Sequence, residues 1–176
     1  MILKVARLGH PVVRGPCAPV SPAQARGADF LRFLDDMAET MREYQGVGLA
    51  ANQVHAGRRA AVIEVRAEAS RARAVEAVPL TALVNPEIIE RSPELVEGWE
   101  GCLSVPGLRG LVPRHRSVRL RALGRDGEAL DIRAEGYFAR IIQHECDHLD
   151  GKVYLDRMPD LATLSFTEEF ERYGER

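Results

Sequence analysis

The chain lacks the marks of several large protein classes. It has no excess of either charge: 24 Lys plus Arg stand against 26 Asp plus Glu, a net charge of -2. Neither nucleic acid nor a membrane therefore has an electrostatic reason to be its main partner. No apolar run approaches the ~20 residues of a membrane span. The N-terminal stretch MILKVARLGHPVVRG has no apolar region followed by a small-residue cleavage site, so a cytoplasmic location is expected, with an organelle matrix open if a transit segment has been removed. Cys17, Cys102 and Cys146 are an odd number with no disulfide framework, which fits a reducing compartment. There a cysteine is core filler, a metal ligand or a nucleophile. Repeats, low-complexity tracts and linkers are also missing, and the 176 residues are expected to form one domain, 1–176, able to bury a core without disulfides.

What is present alternates between helical and extended patterns. Residues 1–20 are punctuated by Pro and Gly and read as extended. Ser21-Pro22 then starts a helix, with apolar residues at Phe30, Phe33, Leu34, Met37 and Met41 keeping helical spacing to about Tyr44. Arg59–Val65 reads as a strand. The alanine-rich residues 66–78 read as a solvated loop between strands. Leu80–Val84 and Ile88–Arg91 look like a strand interrupted by Asn85-Pro86, and Leu95–Leu103 is extended, with bends at Gly98 and Gly101. Residues 117–123 and 129–135 form a hairpin pattern. A helix follows from about Tyr137 to Leu149, ended by Gly151, and an amphipathic one from about Ala162 to Tyr173. The expected class is α+β, with antiparallel sheets around a central helix and further helices near each end.

That central helix carries His144-Glu145-Cys146-Asp147-His148. Two imidazoles four residues apart share a helix face and can hold one metal ion. The glutamate after the first lies beside it and can take a proton from water. Chance occurrence on a half-buried helix is the plain alternative, but Ile141, Ile142 and Leu149 give this helix the apolar character of a buried one.

The pentapeptide lacks a third ligand, and three sources are open. A continuation to a third histidine, as in HExxHxxGxxH, meets Gly151 at the right spacing but Tyr154 where the histidine should stand. A downstream glutamate, as in a zincin-type endopeptidase, finds Glu168, Glu169 and Glu171, which read more readily as a solvated helix face. Upstream, Glu100-Gly101-Cys102-Leu103-Ser104 offers one thiolate, and a Cys/His/His set leaves a position open for water. By itself Cys102 reads more readily as a small buried residue.

Three segments taken together resemble one family. Gly46-Val47-Gly48-Leu49-Ala50-Ala51-Asn52-Gln53, Glu100 to Ser104 and Gln143 to Gly151 are similar to the GxGLAAxQ, EGCLS and QHExDHLxG motifs of peptide deformylases, in the same order. Weaker similarity, including Leu111-Val112-Pro113-Arg114, extends over most of the chain. The resemblance implies removal of formyl from N-formylmethionyl peptides of nascent proteins, near the ribosome, with release of formate. It implies Cys102, His144 and His148 as metal ligands, Glu145 as general acid/base, and Gln53 with the Leu103 N–H as oxyanion donors. It further implies one divalent ion, iron(II) in the cell, replaceable by zinc, nickel or cobalt, and a methionine pocket near Val47, Tyr137 and Ile141.

Around that set, Gly46 and Gly48 allow close approach of an extended peptide, or mark an ordinary turn. Gln143 is either a partner of His144 or polar surface, and Glu100 and Arg114 are either a supporting ion pair or surface charges. Cys17 and Cys146 read as core, and His10, His55 and His115 as surface. Three departures from the family stand out: His10 precedes Pro11 where an acidic residue is common, Arg140 replaces an apolar residue, and Glu168, Glu169, Glu171 and Glu175 make acidic a C-terminal helix that is basic in some relatives.

Overall fold

The computed structural model describes residues 1–174. Its elements run α1 Pro11–Arg14, α2 Pro22–Ala25, α3 Ala28–Glu43, β1 Gly48–Ala50, β2 Ala60–Val65, α4 Ala67–Arg73, β3 Val78–Arg91, β4 Leu95–Cys102, β5 Val105–His115, β6 Ser117–Leu123, β7 Ala129–Glu135, α5 Gly136–Leu149, β8 Ser165–Phe166 and α6 Thr167–Tyr173. Among the described residues β1-β2-β3-β6-β7 form one sheet and β4-β5-β8 another. Every pairing within them is antiparallel. The α+β architecture expected from sequence is the one observed.

α5 lies between the two sheets, and its sequence explains why. Ala139, Ile142 and Cys146 recur at helical spacing and pack with Ile63, Leu83 and Leu120 of the larger sheet. Gln143 and Asp147 occupy another face and reach the smaller sheet, where Gln143 Nε2 donates to the His115 carbonyl at 2.9 Å. Polar side chains survive there because strand carbonyls and charged groups receive them. Gly151, at φ +74°, closes the helix, and a Cβ there would run into the Arg14 carbonyl carbon at 2.9 Å. α3 covers the larger sheet with Phe30, Leu34, Met37 and Met41 against Leu49 and Val62, each buried side chain contributing about 1.5–3 kcal/mol.

Several boundaries differ from expectation. The first long helix is two, because Ser21 caps a single turn through a reciprocal bond with Gln24 and the chain restarts at Gly27. Residues 1–20 include a helical turn capped by His10, whose Nδ1 accepts from the Val12 N–H at 3.2 Å. The stretch read as a solvated loop contains α4, where alanine propensity prevails over its setting between strands. β3 runs unbroken through Asn85-Pro86: Asn85 takes φ +52°, and its side chain holds both backbone groups of Val20 at 2.8 Å. The C-terminal helix starts only at Thr167, after a strand pair with β5. Glu175 lies outside the described residues. No helix among those described is long and apolar enough to cross a membrane.

Candidate metal centre

α5 and the end of β4 bring Cys102, His144 and His148 together, with one donor atom from each inside a 4.8 Å cluster. Cys102 Sγ lies 3.2 Å from His148 Nε2, which lies 3.2 Å from His144 Nε2. Tetrahedral coordination with ordinary metal–N and metal–S lengths sets donors ~3.3–3.6 Å apart, so the three are spaced to share an ion. The tautomer fits as well. His144 Nδ1 is 2.9 Å from Glu100 Oε2, so it carries the proton and Nε2 presents its lone pair inward. Glu168, Glu169 and Glu171 are exposed on α6, and the described residues hold no metal-type cluster that includes them. The zincin-type completion is not favoured. Tyr154, at the failed histidine position, instead lies nearly parallel to the His144 ring at 6.4 Å.

The charge balance asks for a cation. Burial pushes the Cys102 thiol up, but the pull of His148 and His144 outweighs it and leaves the group at about 5, a thiolate at neutral pH. Burial opposes charge on His144, yet Cys102 and Glu100 hold its pKa well above the imidazole range. A proton fills the role an ion would take, and the thiolate and imidazole donors suit iron(II), zinc, cobalt or nickel. Glu145 is buried beside them with Oε2 lacking a protein partner. Burial raises its carboxyl to about 6 against the pull of both histidines.

A network of buried charges supports the cluster. Arg114 grips Glu100 through two bonds of 2.9 Å and also reaches Asp147. Asp147 in turn receives Arg157 Nε at 3.0 Å. Burial opposes the charge of Asp147, but Arg157 and Arg114 keep its pKa low. The Glu100–Arg114 ion pair weighed from sequence is thus real and buried. Removing one partner strands the others in a poor solvent. Arg114→Leu is expected to lower stability by about 3–5 kcal/mol, measured by urea unfolding of the apo protein.

Gln53 is buried, with Nε2 3.5 Å from Cys102 Sγ and 3.1 Å from Ser104 Oγ. Its Oε1 accepts from the Ala50 N–H at 2.8 Å, which fixes the direction of the amide. Leu103 follows in the turn after β4. Val47, Gly48, Tyr137 and Ile141 line the same cavity, of about 550 Å³, together with Gln53, Cys102, Leu103, His144 and Glu145. Gly48 has a sharper reason to be glycine than backbone approach alone, since a Cβ would fall 2.7 Å from Glu145 Cδ. Gly48→Ala is expected to push that carboxylate off its position and lower kcat about 10²-fold, with metal content and melting temperature near wild type. Steady-state kinetics with metal analysis check this.

Sequence reading missed four contributors. Asn52 donates from Nδ2 to the His148 carbonyl at 2.6 Å, Asp147 and Arg157 extend the charge network, and Ser104 receives Gln53. The only signal for Asn52 and Asp147 was their presence inside the matching motifs. Gln143 fits neither reading, since it is buried but joins α5 to both backbone groups of His115 rather than to His144. Cys17 and Cys146 are buried, as expected of core residues.

Comparison with known proteins points to one family. The polypeptide deformylase family model matches residues 2–163. Peptide deformylase 1 of Bordetella pertussis is 42% identical over 168 residues, covering 96% of this chain and 94% of the relative. Peptide deformylase 2 of Pseudomonas putida is 40% identical with the same coverage. A class I type b peptide deformylase from Acinetobacter baumannii with Met-Ala-Ser bound superposes with a TM-score of 0.84 at 38% identity, over 90% of this chain and 99% of that one. The Thermotoga maritima enzyme gives 0.80 at 33% identity, over 91% and 99%. Matched along almost its whole length in sequence and in fold, the chain belongs to the peptide deformylase family of metal-dependent hydrolases.

Proposed function

We propose that Cys102, His144 and His148 hold one divalent ion at which Glu145, Gln53 and the Leu103 N–H hydrolyse the formyl group of N-formylmethionyl peptides. The observation that carries this reading is the unpaired Glu145 carboxylate buried against an inward-facing Cys/His/His set. When bound, the ion supplies Lewis acidity to water and to the formyl carbonyl. Glu145 takes a proton from the attacking water and returns it to the nitrogen as the C–N bond breaks, so formate and a free α-amine leave together. Its raised pKa suits it to both transfers. Gln53 Nε2 and the Leu103 N–H donate to the oxygen that gains charge, one such donor being worth about 2.7–4 kcal/mol.

Val47, Gly48, Tyr137 and Ile141 receive the methionine side chain and the start of the peptide, a reading supported by their place in the cavity wall. The Met-Ala-Ser bound to the Acinetobacter enzyme is a peptide of the length and sequence this reaction would release. We assign iron(II) as the ion in the cell, with zinc, nickel or cobalt able to replace it, and nascent chains near the ribosome in the cytoplasm as the setting. Stripping the protein with a chelator and restoring one metal at a time under anaerobic conditions tests the assignment. Formate release from formyl-Met-Ala-Ser should return with each of these ions and with iron(II) at least as well as with zinc. Activity undiminished in the stripped protein contradicts it.

A further inference from the structure

We propose that Arg140 is a positioning residue of this site, tying β4 and β5 to α5 and clamping the carboxylate that orients His144; the inference rests on the reading of Cys102, His144 and His148 as metal ligands. β4 pairs with β5, with Gly98 opposite Val112. Against this pair of strands Arg140 Nη2 donates to the Val96 carbonyl at 2.6 Å, and Nη1 donates to the Gly98 carbonyl at 3.3 Å and the Val112 carbonyl at 2.8 Å. Nη1 also lies 2.7 Å from Glu100 Oε1. The side chain is 11% exposed, so this is not a solvated surface charge. Donors held in a rigid planar fork suit such a cluster of acceptors, and lysine or an apolar residue cannot serve them all.

Two consequences follow for the site. Glu100 is held from both sides, by Arg114 and by Arg140, while its other oxygen meets His144 Nδ1. Carboxylates that orient a ligating histidine set its ring direction and basicity. Arg140 also ties β4 and β5 to α5 through the Val96, Gly98 and Val112 carbonyls, and so holds the strand that carries Glu100 against the helix that carries His144.

Gly98 is the complement of Arg140. A Cβ at this position would lie 2.8 Å from Cζ and Nη2 of Arg140, so any other residue forces the guanidinium away. The family segment Glu100 to Ser104 therefore depends in this chain on a pair outside it, one partner on the strand and one on the helix.

The test uses Arg140→Met, Arg140→Lys, Gly98→Ala and the double variant Gly98→Ala/Arg140→Met, each with its melting temperature. Zinc affinity is read by chelator competition, a measurement independent of deformylation. Arg140→Met and Gly98→Ala should each weaken zinc binding by about 10–100-fold, and Arg140→Lys by less, since it keeps one donor for Glu100. The double variant should be no worse than Arg140→Met, because both changes remove one interaction. Wild-type zinc affinity in folded Arg140→Met, or losses that add in the double variant, would overturn the proposal. If Arg140→Met does not fold, Gly98→Ala with wild-type zinc affinity does the same. Wild-type protein that binds zinc at Cys102 but releases no formate defeats the deformylase reading and leaves the zinc comparison intact.

Discussion

Glu145→Gln is expected to bind metal at the wild-type stoichiometry and to release formate about 10²–10⁴-fold more slowly, the range spanned by a positioned general acid/base. The amide keeps the shape of the carboxylate, so Gly48 and the cavity wall are undisturbed, while proton acceptance is lost. The same assignment fixes the sign of the pH dependence. Burial raises the Glu145 carboxyl to about 6, and the base must be ionised to accept a proton. Activity therefore falls as pH drops through that region, and a cation seated nearby favours ionisation and moves the limb lower. In wild type, kcat/KM should rise with pH to a plateau whose acid limb lies at or below about pH 6. The residual rate of Glu145→Gln should lack that limb. A limb that persists unchanged in the variant belongs to another group.

Cys102→Ser is expected to lose the ion. A serine hydroxyl is neutral at pH 7 where the thiolate is not, and the set would keep two neutral imidazoles and no anion. Loss of a residue that merely orients a ligand costs about 10–100-fold in affinity, so loss of a ligand should exceed that. Dialysed Cys102→Ser should hold little metal and show proportionately little activity, while Glu168→Ala and Glu169→Ala retain both. Because the thiolate also holds the proton on His144 in the apo protein, the pKa of that ring should fall toward the imidazole range in the variant, which NMR titration of the apo form can follow.

The parts of this molecule legible in sequence are those set by local pattern. Hairpin β6–β7 and helix α5 follow from alternation, helical spacing and glycine stops, and they fall where expected. β5 escaped because Pro106, Gly107, Gly110 and Pro113 break the look of an 11-residue strand, and its pairing with β4 supplies what the local sequence does not. β3 looked divided because Asn85-Pro86 is a turn signal, yet an asparagine bonded to Val20 carries the strand across it. The reactive pentapeptide was readable from spacing alone. Its third member was not, since Cys102 lies 46 residues before His148 and meets it only through the placement of β4 against α5. The same holds for Glu100, 44 residues from the ring it orients, and for Arg114, 33 residues from Asp147. Charged residues that far apart read as surface until the fold buries them together.

Arg140 shows the opposite case. Sequence offered no reason for it. Its acceptors are mostly backbone carbonyls, which carry no side-chain signature. Gly98, read as a bend, left the space for it.

The measurement that tests the account most directly is one made on a single anaerobic preparation of the wild-type chain: metal content together with formate released from formyl-Met-Ala-Ser and from its acetylated counterpart. The account predicts one divalent ion per chain, formate in equal amount to new α-amine, and little reaction with the acetyl peptide. A fully metal-loaded chain that releases no formate, or that cuts the peptide at an internal bond, would contradict it.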